Sequence, residues 1–324
     1  MKARGLTAAV LAGAMLALAA CGGSGGSGGG GSATVAAAGP EKTAITVGVL
    51  PLADYAAAYW AKDHGFFKKE GLDVTLQPLQ GGPIGIQSAI SGAVDFSFAN
   101  TISTMVAQSS GAPAKIVVAS SALGPQSNIY VVKPDSPITS IKDLDGKTVG
   151  VNTTNNIGDV TFRALAESEG VKVTPQFVEV PFNEMVAGVQ AGSIDVGYTP
   201  EPFASAALAA GLRTVVDLTQ GPNQGLAAAS FVASDAFIAK NPKTAAAFAR
   251  ALYAAGVDIA DKKQEFRQWL PGIAHVPAGV AQNMKLPTFF TKMQPDELQR
   301  VADLLDKQRL LKGKYDLAQH VLLP

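Results

Sequence analysis

Thr46-Val47-Gly48-Val49 returns as Thr148-Val149-Gly150-Val151, Glu70-Gly71-Leu72 as Glu169-Gly170-Val171, and Gly92-Ala93-Val94-Asp95 as Gly192-Ser193-Ile194-Asp195. The offsets are 102, 99 and 100 residues, in the same order along the chain. Matches kept in register imply two copies of one supersecondary unit of roughly 55 residues. Two like lobes in one chain imply a cleft between them.

Within the first copy, residues 44–50 form a short Val/Ile/Leu run bounded by Pro51, as in a strand buried in a parallel sheet. A helix is expected over residues 55–69, with Asp54 as its N-cap and Gly71 as its stop. Residues 72–79 read as the next strand, Gly81 and Gly82 as a turn, residues 84–91 as a helix, and residues 94–99 and 114–119 as strands. The second copy follows the same plan, with strands at 147–151, 176–180, 194–198 and 214–217 and helices at 157–169 and 183–191. Strands alternating with helices define βαβ units with right-handed crossovers. Each lobe is therefore expected to be a mainly parallel α/β sheet flanked by helices.

Residues 227–233 read as a strand returning to the first lobe, and the helical remainder at 242–260, 265–269 and 296–311 as its cover. Lobe 1 is thus expected over residues 40–131 and 226–324, and lobe 2 over 132–225, with Pro134 and Pro137 marking the entry. Two chain crossings between lobes make a hinge.

A chain of 324 residues suits two domains. Basic and acidic residues balance at 26 each, and no basic stripe is interleaved with aromatics, which argues against a nucleic-acid partner. The amino terminus reads as a processing signal: Lys2 and Arg4 precede an apolar stretch, residues 6–20, too short for a comfortable membrane span. Residues 1–20 are the expected signal peptide. Residues 22–32 are almost pure Gly and Ser, and residues 21–39 read as a flexible tether. Removing Lys2 and Arg4 leaves 24 basic against 26 acidic residues, a charge of −2.

Leu18-Ala19-Ala20-Cys21 resembles the lipobox of bacterial lipoproteins. That resemblance implies cleavage before Cys21, a lipid on its sulfur, and an extracytoplasmic body anchored to the cell membrane. The alternative is a cleaved secretory signal with an incidental cysteine. Cys21 is the only cysteine, so no disulfide is available.

Catalytic constellations are scarce. His64, His275 and His320 share no metal-ligand spacing, and there is no nucleophile elbow, no phosphate-cradling loop with a lysine and no zinc-ligand cluster. Binding without catalytic residues, cofactor or metal is the reading that remains. In open α/β sheets ligands sit beyond the carboxyl ends of the strands, where helix N-termini offer free N–H groups and partial positive charge. In lobe 1 these loops supply Leu52, Asp54, Tyr55, Gly81, Gly82, Asn100, Thr101, Ser120 and Ser121 as candidate ligand contacts. In lobe 2 they supply Asn152, Thr153, Thr154, Asn155, Asn156, Tyr198 and Glu201.

Five short polar side chains in a row, residues 152–156, ask for more than one role. A capping-box-like pair of Asn156 with Asp159 accounts for one asparagine, and ligand contact for at least two of the others. Asn100 and Thr101 serve equally as a helix cap, and Gly81 and Gly82 as a simple turn or as a close backbone approach. Glu201, between Pro200 and Pro202, either receives a ligand amine, locks the lobes, or is a solvated first-turn acid. Tyr59 and Trp60 read as core or rim before a stacking face.

The run Trp60-Ala61-Lys62-Asp63-His64-Gly65-Phe66-Phe67-Lys68-Lys69-Glu70-Gly71-Leu72-Asp73-Val74 resembles a helix-to-strand segment of the substrate-binding proteins of nitrate, sulfonate and taurine ABC importers and of their thiamine-precursor-binding relatives. Residues 89–96, 143–151 and 191–196, with Pro200-Glu201-Pro202, extend the resemblance across residues 44–252. It implies a two-lobed periplasmic-binding-protein fold of type II, monomeric, closing on a small-molecule ligand by a hinge and delivering it to ABC permease and ATPase subunits. On family grounds the ligand is a small organic anion, although no Lys or Arg lies in these loops, Arg163 stands well down its helix, and Asp54, Asp159 and Glu201 make the cleft edges acidic. A zwitterion, an aromatic acid and a pyrimidine fit comparably, and a sensor lipoprotein feeding a membrane kinase would share these features. An enzyme reading, by analogy with pyrimidine-synthesising relatives, needs a Cys/His metal cluster.

Overall fold

The computed structural model describes residues 39–274 and 277–323. The signal peptide, Cys21 and the Gly/Ser tether expected for residues 1–38 lie outside the described residues, as does His275.

The apolar run of the first copy forms β1 (Ala44–Val49), whose Val47 and Val49 are fully buried. A 3-10 turn, Ala53–Tyr55, leads into α1 (Ala56–Asp63), and α2 (Phe66–Lys69) follows. The single helix expected over 55–69 is broken at Gly65, whose φ of 75° is left-handed backbone that glycine adopts without Cβ strain. Asp54 is not the N-cap: it lies one residue further back, inside the turn, and Tyr55 holds the cap position. Trp60 is fully buried and donates its indole N–H to Asp258 at 2.9 Å, so it is core.

The first lobe continues through β2 (Asp73–Pro78), α3 (Gly82–Ser91), β3 (Phe96–Asn100), α4 (Thr101–Ser109) and β4 (Ala114–Ala122). β5 (Asn128–Val132), β6 (Thr148–Val151), α5 (Ile157–Ser168), β7 (Gln176–Glu179), α6 (Phe182–Ala191), β8 (Val196–Pro200), α7 (Phe203–Ala209) and β9 (Arg213–Asp217) make the second. The chain then returns through β10 (Ala227–Ser234), α8 (Asp235–Lys240), α9 (Pro242–Asp261), α10 (Lys263–Ala274), α11 (Ala278–Asn283), β11 (Thr288–Phe289), α12 (Pro295–Lys307) and α13 (Leu317–His320).

One sheet has the order β11-β4-β10-β3-β1-β2 and the other β7-β6-β8-β5-β9. Their inner parts correspond: β2-β1-β3-β10-β4 matches β7-β6-β8-β5-β9. In each, the first three strands are parallel and one reverse strand, β10 or β5, pairs antiparallel on both sides. The expected α/β fold of two mainly parallel sheets flanked by helices is the fold observed. β5 belongs whole to the second sheet, so the first crossing precedes Asn128 rather than falling at 131/132. Gly124-Pro125, not Pro134, is the breaker that marks it.

The repeated aspartates do the same work in both lobes. Asp95 accepts from the Thr46 amide at 2.9 Å, and Asp195 from the Thr148 amide at 2.9 Å, tying the third strand of each unit to the start of its first. The two chain crossings lie side by side, with the Leu123 amide donating to the Leu226 carbonyl at 3.0 Å.

The tail does more than cover lobe 1. Leu298, Val301, Ala302 and Leu305 of α12 are buried, while its polar residues grip lobe 2. Arg300 donates to the carbonyls of Pro222 and Gln224, at 3.2 and 3.0 Å, and Lys307 pairs with Glu167 at 3.0 Å.

Candidate functional site

The loops at the carboxyl ends of the strands face one another across a cleft of about 750 Å³. Lobe 1 lines it with Leu50, Leu52, Leu79, Gly81 and Ile84, and lobe 2 with Asn152, Thr153, Glu179, Phe182 and Phe203. Leu50, Leu52, Asn152 and Phe182 also border a small inner hollow of about 30 Å³, the floor of the cleft. Asp54, Tyr55, Gly82 and Asn100 close that floor from lobe 1, and Asn156, Ile157, Tyr198 and Pro200 from lobe 2. Ordinary residue types reach it because each is placed at a strand end or in the first turn of a helix.

Asp54 is 7% exposed, and among the described residues no group donates a hydrogen bond to its carboxyl. Its own backbone is held instead: Ser121 Oγ donates to the Asp54 carbonyl at 3.1 Å. Burial, with the Glu201 charge second, pushes the Asp54 carboxyl up to about 7. Tyr55 and Tyr198, on the same floor, are raised well above the usual phenol range, chiefly by burial, so both stay neutral. Tyr198 spends its hydroxyl proton on Asn128.

The Asn/Thr run divides its labour. Asn156 caps α5 through the Ile157 amide at 2.7 Å, and Asp159 completes the capping box on the Asn156 amide at 2.7 Å. That leaves Asn156 Nδ2 buried without a partner among the described residues. Asn152 and Asn156 border the floor and Thr153 the outer cleft. Thr154 is taken by Glu179, which accepts from its amide at 2.9 Å and its hydroxyl at 3.0 Å. Asn155 has left-handed backbone, donates its amide to Asp159, and accepts from Arg163. Thr154 and Asn155 line a side groove between α3, α4 and the run instead of the cleft.

Asn100 caps α4 by accepting from the Ser103 amide at 2.8 Å and also borders the floor. Gly82 is required there: a Cβ would lie 2.7 Å from Ser103 Oγ and 3.2 Å from Asn100 Nδ2. Gly81 has no such neighbour, so the close approach expected of both glycines holds for Gly82 alone.

Besides Thr154 and Asn155, four expected contacts sit elsewhere. Thr101 is fully buried against Ser230, with the two hydroxyls 2.8 Å apart. Ser120 and Ser121 border neither cleft nor floor, because β4 is one strand removed from the loops that meet lobe 2. Glu201 faces away from the cleft, into a second cavity between α7 and α11. Its carboxylate accepts from the Ser205 amide at 3.0 Å, the Ser205 hydroxyl at 2.8 Å and, from the tail, the Lys285 amide at 2.8 Å. Burial pushes its carboxyl up against these lowering bonds.

The residues missed in the sequence are apolar or acidic. Phe182 and Phe203 stack at 5.4 Å on the lobe 2 wall, and Glu179 and Glu184 stand at its rim. Phe182, at the start of α6, borders both the cleft and its floor without any polar signal in the sequence. No Lys or Arg lines the cleft or its floor among the described residues. Arg163 is committed to Asp159 at 2.5 Å. No group of three or more His, Cys, Asp or Glu suited to a metal occurs among the described residues, and none of their helices is long and apolar enough to cross a membrane.

The sequence model described as NMT1/THI5 like matches residues 53–265. A protein of Escherichia coli (strain K12), provisionally named as an aliphatic sulfonates-binding protein, is 24% identical over 277 residues, 82% of this chain and 84% of that one. Among solved structures, the periplasmic aliphatic sulphonate-binding protein SsuA from Escherichia coli superposes with a TM-score of 0.70 at 21% identity, covering 87% of this chain and 93% of that one. The desulfurization enzyme DSZB superposes with a TM-score of 0.67 at 18% identity, covering 86% and 96%. One architecture thus serves both binding proteins and an enzyme.

Proposed function

This chain belongs to the NMT1/THI5-like family, and from that premise we propose that it is the extracytoplasmic solute-binding component of an ABC importer. It captures a small organic solute between its lobes and delivers it to the permease and ATPase subunits. The observation that carries this reading is the floor itself: three asparagines and an aspartate, drawn from both lobes, converge where strand ends and helix N-termini meet. The N-terminus of α3 reaches the floor at Gly82 without a side-chain cap, so its first amides can hold an acid group without a basic side chain. A sulfonate, taurine-like or nitrate-like anion is the ligand that family kinship favours.

The stacked Phe182 and Phe203 favour a second reading, in which the ligand is a flat ring such as a pyrimidine or aromatic acid. The lobes, near residues 40–127 with 226–324 and 128–225, move about the paired crossings at Leu123 and Leu226. The protein acts as a monomer without a cofactor, held to the membrane by a lipid on Cys21, and performs no reaction on its cargo.

Thermal-shift screening of the full chain against alkanesulfonates, nitrate, taurine, aromatic acids and pyrimidines tests the binding claim, since a tight ligand raises the midpoint by mass action. Unchanged midpoints across the panel would count against it, and turnover of a bound compound would remove the non-enzyme reading. Neighbouring permease and ATPase genes separate import from a sensor that feeds a membrane kinase. Loss of membrane association in Cys21→Ser tests the anchor.

A further inference from the structure

We propose that the ligand meets the floor with a protonated nitrogen, held by Asp54 from lobe 1, next to an acceptor atom that takes the free Nδ2 hydrogens of Asn156 from lobe 2. This rests on the reading that the interlobe cleft is the ligand site. The floor offers one acceptor without a donor and one donor without an acceptor: the Asp54 carboxyl accepts no hydrogen bond among the described residues, and Asn156 Nδ2 is buried and unpartnered. Unpaired polar groups of this kind are costly in a folded protein and are characteristic of places where a ligand completes the network.

Charge points the same way. Asp54, Glu179 and Glu184 line the floor and the outer cleft, which carry no Lys or Arg, and the one guanidinium close to the Asn/Thr run is bound to Asp159. An anion driven to the floor would face Asp54, once ionised, with no Lys or Arg on the floor to offset it. A ligand cation removes that repulsion. The hollow is small, about 30 Å³, so only the polar head of a ligand, the nitrogen with its neighbouring acceptor atom, reaches it. The body of the ligand remains in the outer cleft, against Leu79, Ile84, Phe182 and Phe203. The ligand class is an amphipathic amine with a neighbouring hydroxyl, carbonyl or ring nitrogen.

Three probes share a phenyl body and differ in the head: 2-phenylglycinol carries an ammonium beside a hydroxyl, 2-phenylethanol the hydroxyl alone, and 2-phenylethanesulfonate an acid. Calorimetry with the full chain should rank phenylglycinol above phenylethanol by on the order of tenfold or more, the range for a hydrogen bond to a charged group. Asp54→Asn should erase that preference, while Phe182→Ala should weaken both. Tightest binding by the sulfonate, with sensitivity to Phe182→Ala kept, overturns the ammonium inference and leaves the cleft reading standing. Binding indifferent to Phe182→Ala overturns the cleft reading, and no binding by phenylglycinol overturns the inference. The ranking on the unsubstituted chain decides the matter even if Asp54→Asn fails to fold.

Discussion

The amide of Ala53, in lobe 1, donates to the carbonyl of Glu201, in lobe 2, at 3.1 Å. The Glu201 side chain then reaches back to the Lys285 amide of the tail, so one residue is bonded to lobe 1 on both sides of the crossing. Glu201→Ala should cost about 1–3 kcal/mol, because it strands the Ser205 and Lys285 amides in a buried setting. Glu201→Gln, which keeps an acceptor oxygen, should cost less. Urea unfolding reads the difference as a lower midpoint with an unchanged slope, and equal midpoints for all three proteins would show that the lock is not used.

Asp54 makes stability depend on pH in the direction opposite to a salt-bridged acid. Its ordinary value of 3.8 rises to about 7 on folding, so the folded state favours the protonated form. Its contribution is complete below 3.8 and is lost as pH climbs to 7. Glu201, also raised by burial, adds in the same sense. Asp54→Asn should flatten the profile over this window and stabilise the protein at about pH 8 by at most on the order of 4 kcal/mol. Unfolding midpoints near pH 5 and pH 8 measure it, and a profile unaltered by the substitution would refute the assignment.

Gly81 and Gly82 look alike in sequence and should behave differently. Gly82→Ala pushes a methyl against Ser103 and Asn100, and α3 must shift, at a cost of about 1–3 kcal/mol. Gly81→Ala meets nothing closer than Thr153 at 4.0 Å and should change stability by less than about 0.5 kcal/mol. Thermal midpoints of the pair check this directly.

The repeated aspartates invite a symmetry test. Asp95→Ala and Asp195→Ala each remove one acceptor from a strand amide and should each cost about 1 kcal/mol. Asp95 also pairs with Lys42 at 2.7 Å, but that pair is half-exposed on the Lys42 side and adds little. A loss at Asp95 several times that at Asp195 would show that the ion pair matters after all.

Much of the fold was legible because the repeat carries its own anchors: Thr46 and Thr148 lie in equivalent strands, and Asp95 and Asp195 fasten them. The crossing before Asn128 was harder to see, since β5 is an apolar run like any other and only its pairing with β8 and β9 assigns it to lobe 2. Residues that border the floor were legible where a strand end meets a helix start or turn, as at Asp54, Asn100 and Asn156. Thr154 and Asn155 were not separable from their neighbours, because what diverts them, Glu179 and Arg163, stands 25 and 8 residues away. Phe182 escaped because an aromatic beside a proline reads equally as core or as ligand wall.

A crystal structure of the protein with its strongest thermal-shift ligand tests the central claim most directly. The account predicts that ligand between the lobes, its polar head within hydrogen-bond reach of Asp54 and Asn156 and its body against Phe182 and Phe203. A ligand seated instead in the rear cavity beside Leu208 and Val280, with the interlobe floor untouched, would contradict it.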